Sequence, residues 1–208
     1  TIAQLATGVR RFDLPDEFNF IAILNQIASS EDATQSSHAI QASTTLSQLY
    51  QNRRQYPKAA AVLRDIIKRY PQITKNYGIP TTLKSIVGNW GTFDPISGQT
   101  TNEQNIFTYK FRNAEKVTFT AHRINVPNLL ADVKTHIELN KPSDVQFTVN
   151  DISNLIYHQS SARYINEKVT SWTLDLEPRE SHLDKRVTVE VPIKETGAYK
   201  ITATVEGG

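Results

Sequence analysis

The sequence predicts an α+β protein with a helical region over residues 1–80 and an antiparallel β-sandwich with one inserted helix over residues 84–208. Three observations predict this division. Apolar residues recur with a helical period in the first part of the chain. In much of the second part they alternate with polar residues, as in strands with one buried face. Between the two parts, residues 76–82 (NYGIPTT) have the composition of a loop.

The totals of the sequence restrict the classes of function. The chain has 208 residues, which is long enough to bury a core, and its net charge of +2 favours neither nucleic acid nor an anionic membrane. It has no cysteine, which excludes disulfides, thiolate metal sites and cysteine catalysis. No apolar run reaches the roughly 18 residues of a membrane span. Because the chain lacks methionine and begins at Thr1, we expect a fragment of a longer protein.

Three helices are predicted before the boundary, over residues 14–28, 33–54 and 58–69. The first begins with an aspartate and an early proline, which suit the first turn of a helix. Its apolar residues follow at helical spacing: Phe20, Ile21, Leu24 and Ile27. Residues 55–57 form the turn after the second helix, and Tyr70-Pro71 ends the third, because a residue before proline avoids the helical conformation.

Residues 40–73 have the length and spacing of one tetratricopeptide repeat, which is a pair of helices within about 34 residues. The residues on matching positions are Leu46, Tyr50, Ala59, Leu63 and Pro71. Ser43 and Ser47 stand where the repeat usually has tryptophan and glycine. A single repeat cannot bury its own apolar face, so we expect the helix over 14–28 to pack on this pair.

The β region begins with a strand near residues 86–93. Residues 107–111 and 117–121 then alternate between apolar and polar side chains on either side of a turn at 113–115, and we predict that they pair as a hairpin. A helix opened by Pro127 follows, with one apolar side: Leu129, Leu130, Val133 and Ile137. Further alternating segments are residues 145–149, 172–176, 187–191 and 199–205. About seven short strands predict an immunoglobulin-like sandwich.

The sequence shows no catalytic, cofactor or metal motif. The five histidines, at positions 38, 122, 136, 158 and 182, include no pair at i, i+3 or i, i+4. Glycine-rich phosphate loops and a GxSxG elbow are absent. Asp175 and Glu177 share a strand face, but alternation alone produces that arrangement, and we expect both to be solvated. We therefore predict a protein that is not an enzyme and has no cofactor.

Two features are candidates for contact with a partner. The positions that line the groove of a tetratricopeptide repeat hold uncharged polar residues here: Gln41, Thr44, Gln48 and Gln51. They are either a peptide groove or the face of a helical spacer; a groove for a C-terminal carboxylate is disfavoured because it would use basic residues. Trp90 lies between Gly88 and Gly91, which permit close backbone approach, so it either packs at the sandwich end or faces a partner. Trp172 is expected in the core.

Several segments together resemble a known family. The first group is similar to the N-terminal part of bacterial alpha-2-macroglobulin-like proteins: residues 85–93 (SIVGNWGTF), 109–113 (YKFRN), 117–121 (VTFTA) and 129–134 (LLADVK). The second group resembles the closing strands of a macroglobulin domain, where a Gly-Ala-Tyr turn leads into the final strand: residues 172–176 (WTLDL), 186–189 (RVTV) and 196–203 (TGAYKITA).

The resemblance implies a fragment of a large extracytoplasmic protein (periplasmic, secreted or surface-attached) of the protease-inhibitor type, built from sandwich domains. The family's thioester and bait segment have no counterpart in this chain, which has no cysteine. We therefore expect a non-enzymatic scaffold whose partners are other domains of the same protein, or protein and peptide partners that include proteases, and not nucleic acid. The alternative is a peptide-binding adaptor that uses the tetratricopeptide-like helices.

Overall fold

The structure is a computed structural model that describes residues 2–5, 8–11, 15–30, 36–95, 105–139 and 161–208. The chain divides into two units. The first consists of Thr1–Asn89 with Pro178–Asp184, and the second of Trp90–Glu177 with Lys185–Gly208. The predicted α+β class is confirmed, because helices dominate the first unit and two antiparallel sheets the second.

The first unit begins with an antiparallel hairpin and then becomes helical. Its elements are β1 (Ile2–Leu5), β2 (Gly8–Arg11), a 3-10 helix (Asp16–Phe18), α1 (Phe20–Ala28), α2 (Ser36–Asn52), α3 (Tyr56–Arg69), α4 (Pro71–Asn76) and α5 (Ile79–Val87). A 3-10 helix over Glu180–His182 also belongs to this unit and contacts α3. The hairpin was not predicted, since residues 1–12 show little pattern.

The first α-helix is shorter than predicted, because Asn19 provides its amino-terminal cap. The Asn19 backbone is not helical, and its side-chain oxygen accepts a hydrogen bond from the Ala22 amide at 3.3 Å. Such a cap satisfies an amide that has no partner within the helix. The predicted helix over 14–28 is therefore a 3-10 turn followed by α1.

The prediction of a loop over residues 76–82 is also wrong. Asn76 ends α4, and α5 begins at Ile79 after a two-residue turn. Gly78 supplies the left-handed conformation of that turn, with φ of 65°, and Pro80 lies in the first turn of α5, where a missing amide hydrogen costs little. Glycine and proline separate two helices here.

The core of the first unit lies between α2, α3 and α5. Its fully buried side chains are Ala39, Ile40, Ala59, Ala60, Leu63, Ile66, Ile79 and Ile86. A second cluster joins α1 to α2 through Ala28, Ala42 and Leu46, with Ile21 and Leu24 packed against it. The predicted packing of the first helix on the following pair is therefore present.

The second unit contains two three-stranded antiparallel sheets. Its elements are β3 (Trp90–Phe93), β4 (Ile106–Arg112), β5 (Lys116–Ile124), α6 (Val126–Leu139), α7 (Ser161–Tyr164), β6 (Ile165–Asp175), β7 (Lys185–Glu190) and β8 (Tyr199–Val205). One sheet has the order β3-β4-β7 and the other β6-β5-β8. The predicted strand over 145–149 lies outside the described residues.

The predicted hairpin of the two strands around residues 113–115 is wrong. Strand β4 pairs with β3 and β7, whereas β5 pairs with β6 and β8, so the two strands belong to different sheets. Asn113 turns the chain in a left-handed conformation, with φ of 58°. The apolar faces of the two strands are buried against each other in the core between the sheets. The strands are not side by side in one sheet.

Aromatic rings from both sheets form this core. The Phe119 ring of one sheet lies with its centroid 5.2 Å from both Phe107 and Tyr109 of the other, in edge-on contacts. Trp172 stacks on Phe119 at 5.4 Å and is half-buried, as the predicted core position implies. Helix α6 differs from its prediction at Leu130, whose side chain is 57% exposed.

Of the helices that the structure describes, none has the length and apolar character needed to cross a membrane.

Candidate functional site

The four predicted groove residues lie along one side of α2. Gln41, Thr44 and Gln48 are exposed, and Gln51 is half-buried. Two of the four make hydrogen bonds within the helix: the Thr44 hydroxyl donates to the Ile40 carbonyl oxygen at 2.8 Å, and Gln51 Nε2 donates to Ser47 Oγ at 3.2 Å. This face is polar and uncharged, and part of its hydrogen-bonding capacity is used internally.

Trp90 is half-buried at the start of β3, beneath two cations of the neighbouring strand. Lys110 Nζ lies 5.5 Å and Arg112 Cζ 5.2 Å from the centroid of its ring, which is within the range of cation–π attraction. The close approach predicted at the glycines around Trp90 is present at Gly91, where the approaching group is the Tyr109 side chain. A Cβ atom at Gly91 would lie 2.1 Å from Tyr109 Oη.

The groups that sequence analysis considered for chemistry do not converge. Within the described residues, no three His, Cys, Asp or Glu side chains are arranged to hold a metal ion. Asp175 and Glu177 are both largely exposed and pair with different lysines: Lys116 at 3.9 Å and Lys185 at 3.2 Å. That arrangement is the expected solvated one.

One carboxylate of the second unit has both oxygens engaged. Asp132 on α6 accepts a hydrogen bond from the buried Tyr164 hydroxyl at 2.6 Å and one from Arg163 Nη2 at 2.8 Å. This hydrogen bond raises the pKa of Tyr164, and burial of the ring adds to the effect. The cluster joins α7 to α6 and therefore serves the fold.

An exposed apolar surface lies on α1, at a place that sequence analysis did not select. Phe20 is 73% exposed and Phe18, in the preceding 3-10 helix, is 60% exposed. Ile27 is 38% exposed and Ile23 is half-buried. Phe20, Ile23 and Ile27 have the i, i+3, i+7 spacing of one helical stripe. We call these four residues the α1 patch.

The patch exists because the apolar part of α1 is wider than the surface that α2 covers. Ile21, Leu24 and Ala28 form the stripe that packs toward α2. The α1 patch lies about 100° around the helix from that stripe. Monomeric proteins seldom leave several large apolar side chains together in water, and such groups usually mark an interaction site.

No family model, curated protein or solved structure matches this chain. The α1 patch is therefore interpreted from its own chemistry.

The sequence contains a signal that points to this surface. Seven of the nine residues of α1 (FIAILNQIA) are apolar, more than one buried stripe requires. Phe20 and Ile27 were assigned to the same helix as Ile21 and Leu24, but periodicity alone does not show which of them a neighbouring helix covers.

Proposed function

We propose that this chain is a non-enzymatic protein-interaction scaffold and that the α1 patch is its contact surface. The observation that carries the proposal is the exposure of Phe18 and Phe20, which exceeds half of each side chain. Exposed aromatic side chains are enriched at the centres of protein interfaces because they bury a large area with few rotatable bonds.

Photocrosslinking tests this role. A benzophenone amino acid at position 20 should form adducts with a macromolecular partner in an extract of the source organism. The matched control places the same group at Tyr77, on the turn after α4, which is 60% exposed against 73% for Phe20. Adducts from position 20 that exceed those from position 77 would support the role. Equal, sparse labelling from both positions would contradict it.

The finer proposal is that the chain belongs to a large bacterial alpha-2-macroglobulin-like protein of the protease-inhibitor type and works outside the cytoplasm. It includes a macroglobulin-type, immunoglobulin-like sandwich and a tetratricopeptide-like helical pair. Two motifs of the resemblance have structural roles that support it. Gly91 makes room for Tyr109, and the Tyr199 hydroxyl of the Gly-Ala-Tyr turn donates to the Glu195 carbonyl oxygen at 3.0 Å.

The full-length parent protein provides the test of this finer proposal. Incubation with proteases of different specificity should yield complexes in which the protease still cleaves small substrates but no longer cleaves large ones. Unhindered cleavage of large substrates by every protease would exclude the inhibitor role and leave the scaffold role of the chain intact.

A peptide-binding adaptor is the second candidate, because Gln41, Thr44 and Gln48 are exposed together on α2. A protein with a benzophenone amino acid at position 48, incubated in the same extract, distinguishes the adaptor from a scaffold that binds through the α1 patch. Adducts from position 48 that are lost on Thr44→Arg, together with none from position 20, would favour the adaptor.

A further inference from the structure

Strand β8 forms one edge of its sheet, whose order is β6-β5-β8, and among the described strands it pairs with β5 alone. Two hydrogen bonds fix the phase of this pairing. The Glu206 amide donates to the Lys116 carbonyl oxygen at 3.1 Å, and the Ile124 amide donates to the Ala198 carbonyl oxygen at 2.9 Å. Because the backbone groups of an antiparallel strand point alternately to its two sides, the even-numbered residues of β8 bond to β5.

The odd-numbered residues of β8 therefore direct their backbone groups away from β5. Within the described part of the chain, the amides and carbonyl oxygens of Ile201 and Ala203 have no hydrogen-bond partner. The Val205 carbonyl oxygen accepts one hydrogen bond from the Gly208 amide at 3.4 Å, and a carbonyl oxygen can accept a second. Such a row of unpaired backbone groups is a template for pairing with another strand.

Strand β8 also lacks the features that protect the other described edges. The pairing of β6 with β5 shifts register, β3 has only four residues, and three of the six residues of β7 (KRVTVE) are charged. Strand β8 (YKITATV) has no proline, glycine or register shift, and Lys200 is its one charged residue. An edge of this kind associates with other strands unless something covers it.

The inward side chains of β8 are only partly covered. Ile201, Ala203 and Val205 are half-buried, whereas Val117 and Phe119, which lie beside them on β5, are fully buried. A further strand on the free edge would cover the remaining part of Ile201 and Val205. The apolar side of β8 therefore favours the same occupant as its backbone does.

The outer face of β8 carries opposite charges towards its two ends. Lys200 and Glu206, the residue directly after the strand, lie on the same face because residues two, four or six apart do so. On β5, His122 lies beside Lys200 and Lys116 lies beside Glu206. Rotation of this edge by 180° therefore brings its basic end against its acidic end.

From these observations we infer that the β8 edge pairs with the β8 edge of a second copy of this chain, antiparallel and with the two-fold axis at Ala203. In this register Lys200 lies opposite Glu206 of the partner subunit, and symmetry repeats the pair. Ile201 lies opposite Val205 of the partner subunit on the inner face. The two sheets become one sheet of six strands. The inference goes beyond the proposed function, because the β8 edge belongs to the second unit and the α1 patch to the first.

Charge selects this register over its neighbours. The row of outer side chains across the two copies contains Asp175, Lys116 and Glu206, followed by Lys200, His122 and Lys168 of the partner subunit. Opposite charges meet where the copies join, and such cross-strand pairs are favourable. A two-fold axis at Ile201 would instead place Lys200 opposite Thr202 and lose this contact.

Sedimentation equilibrium of the intact chain tests the inference. Two paired edge strands bury less than a standard interface, so we expect a monomer–dimer equilibrium with a dissociation constant on the order of 10–100 µM. Lys200→Glu places like charges opposite each other and should weaken the dimer about tenfold, and so should Glu206→Lys. Lys200→Glu/Glu206→Lys exchanges the two charges and should restore the dimer. Lys194→Glu, at an exposed position before β8, is the control and should change nothing.

Cysteine pairing tests the register without a change of charge. The chain has no cysteine, and the proposed register places the exposed Thr202 opposite the exposed Thr204 of the partner subunit. Residues at such positions have Cα atoms about 4.5 Å apart, which suits a disulfide. A mixture of Thr202→Cys and Thr204→Cys chains should form a linked dimer under mild oxidation. A mixture of Thr173→Cys and Thr204→Cys chains should form none, because Thr173 is exposed on the same face but lies on β6.

Tryptophan fluorescence, measured first, checks that each variant keeps its fold, and each other outcome overturns the inference. A chain that stays monomeric well above the expected dissociation constant would exclude the pairing. A dimer that both single charge reversals leave unchanged would use another surface. A double variant no better than the single ones would exclude the Lys200–Glu206 contact, and equal linking in the control mixture would exclude the register.

Phe20→Ser separates this inference from the proposed function. The variant should leave the dimer unchanged, because Phe20 lies in the α1 patch and not on β8. Loss of the dimer in Phe20→Ser, with no effect of Lys200→Glu, would place self-association at the α1 patch instead. Crosslinking to a partner from position 20 tests the scaffold role whether or not the chain dimerises.

Discussion

Arg69, at the end of α3, caps the carboxyl end of α1 by donating from Nη2 to the Ala28 carbonyl oxygen at 2.6 Å. Its Nη1 also donates to the Ser30 carbonyl oxygen at 3.2 Å, and Asp65 holds the guanidinium from the same helix at 2.6 Å. The last carbonyls of a helix have no partners within it, so a cation there satisfies them and interacts well with the helix dipole. The position of α1, and of its patch, therefore depends on a side chain of α3.

Replacing Arg69 by methionine should lower the free energy of unfolding of the first unit by about 2 kcal/mol. The change keeps most of the side-chain length but removes the hydrogen bonds from a charged donor to the Ala28 and Ser30 carbonyl oxygens. Urea unfolding followed by circular dichroism at 222 nm measures it, because the first unit contains most of the helix. Arg64→Met, at an exposed position of α3, is the control and should change stability little. Equal effects of both variants would contradict the capping role.

Gly91→Ala should destabilise the second unit by about 1–3 kcal/mol, the usual cost of overpacking a core. The new Cβ would overlap the Tyr109 ring, which is held between Phe93 and Phe119 and has little room to move. Tryptophan fluorescence during urea unfolding reports on this unit. Gly197→Ala is the control, because its Cβ would lie 3.3 Å from the Tyr199 ring in an exposed turn. If the Gly91→Ala protein were as stable as the Gly197→Ala protein, a Cβ atom at position 91 would not overpack the core against Tyr109.

Removing the hydroxyls of two buried tyrosines should have different effects at neutral pH. Tyr164→Phe should cost about 2 kcal/mol, because the Asp132 carboxylate loses a short hydrogen bond. Tyr109→Phe should be neutral or stabilising, since its hydroxyl is buried without a hydrogen-bond partner in the part of the chain that the structure describes. Thermal unfolding of both variants gives the comparison, and a larger loss for Tyr109→Phe would show that its hydroxyl has a partner.

The same two tyrosines predict a loss of stability at alkaline pH. The pKa of Tyr164 is raised by its hydrogen bond to Asp132, and the pKa of Tyr109 is raised by burial. Above the unfolded value of about 10 the unfolded chain ionises first, so stability is present below that pH and falls as the pH rises through it. The decline from pH 9 to 11 should be shallower in Tyr109→Phe/Tyr164→Phe than in Tyr77→Phe. Identical slopes would show that neither tyrosine is linked to unfolding.

Ser43→Ala should preserve or raise the stability of the first unit by up to about 1 kcal/mol. The Ser43 hydroxyl is buried in α2 and has no hydrogen-bond partner among the residues described, so its removal relieves a desolvation cost. Ser47→Ala is the matched control, because its hydroxyl accepts a hydrogen bond from Gln51 at 3.2 Å. Circular dichroism during thermal unfolding should rank Ser43→Ala above Ser47→Ala, and the reverse order would contradict the assignment.

Sequence patterns located most of the described strands of the second unit, but their partners poorly. The strand predicted near residues 86–93 is wrong in its first half, because Ile86 and Val87 end α5 and β3 begins at Trp90. Alternation identified the buried faces of β4 and β5, since it depends on each strand's own residues. It did not identify β3 and β6 as their neighbours, because pairing depends on where the turn at Asn113 directs the chain. The hairpin prediction failed for that reason.

At the candidate site, too, the sequence showed the spacing of the residues but not which of them are buried. The helical spacing of Phe20 and Ile27 was evident in the sequence, as was the packing of the first helix on the next pair. Exposure of the α1 patch depends on which arc of α1 faces α2, and that arc is set by the contact of Leu24 and Ala28 with Leu46. Helical periodicity shows which residues share a face of the helix, but a face is buried only where another element packs on it.

By itself, the sequence determined the α+β class, the positions of α2 and α3 and the alternating faces of the later strands. These properties follow from the chemistry of neighbouring residues. Only the tertiary structure decided which strands pair, that Tyr109 fills the space above Gly91, and that the α1 patch stays exposed. These properties depend on contacts between segments far apart in the chain, such as Arg69 with Ala28, and local sequence does not specify the distance between them.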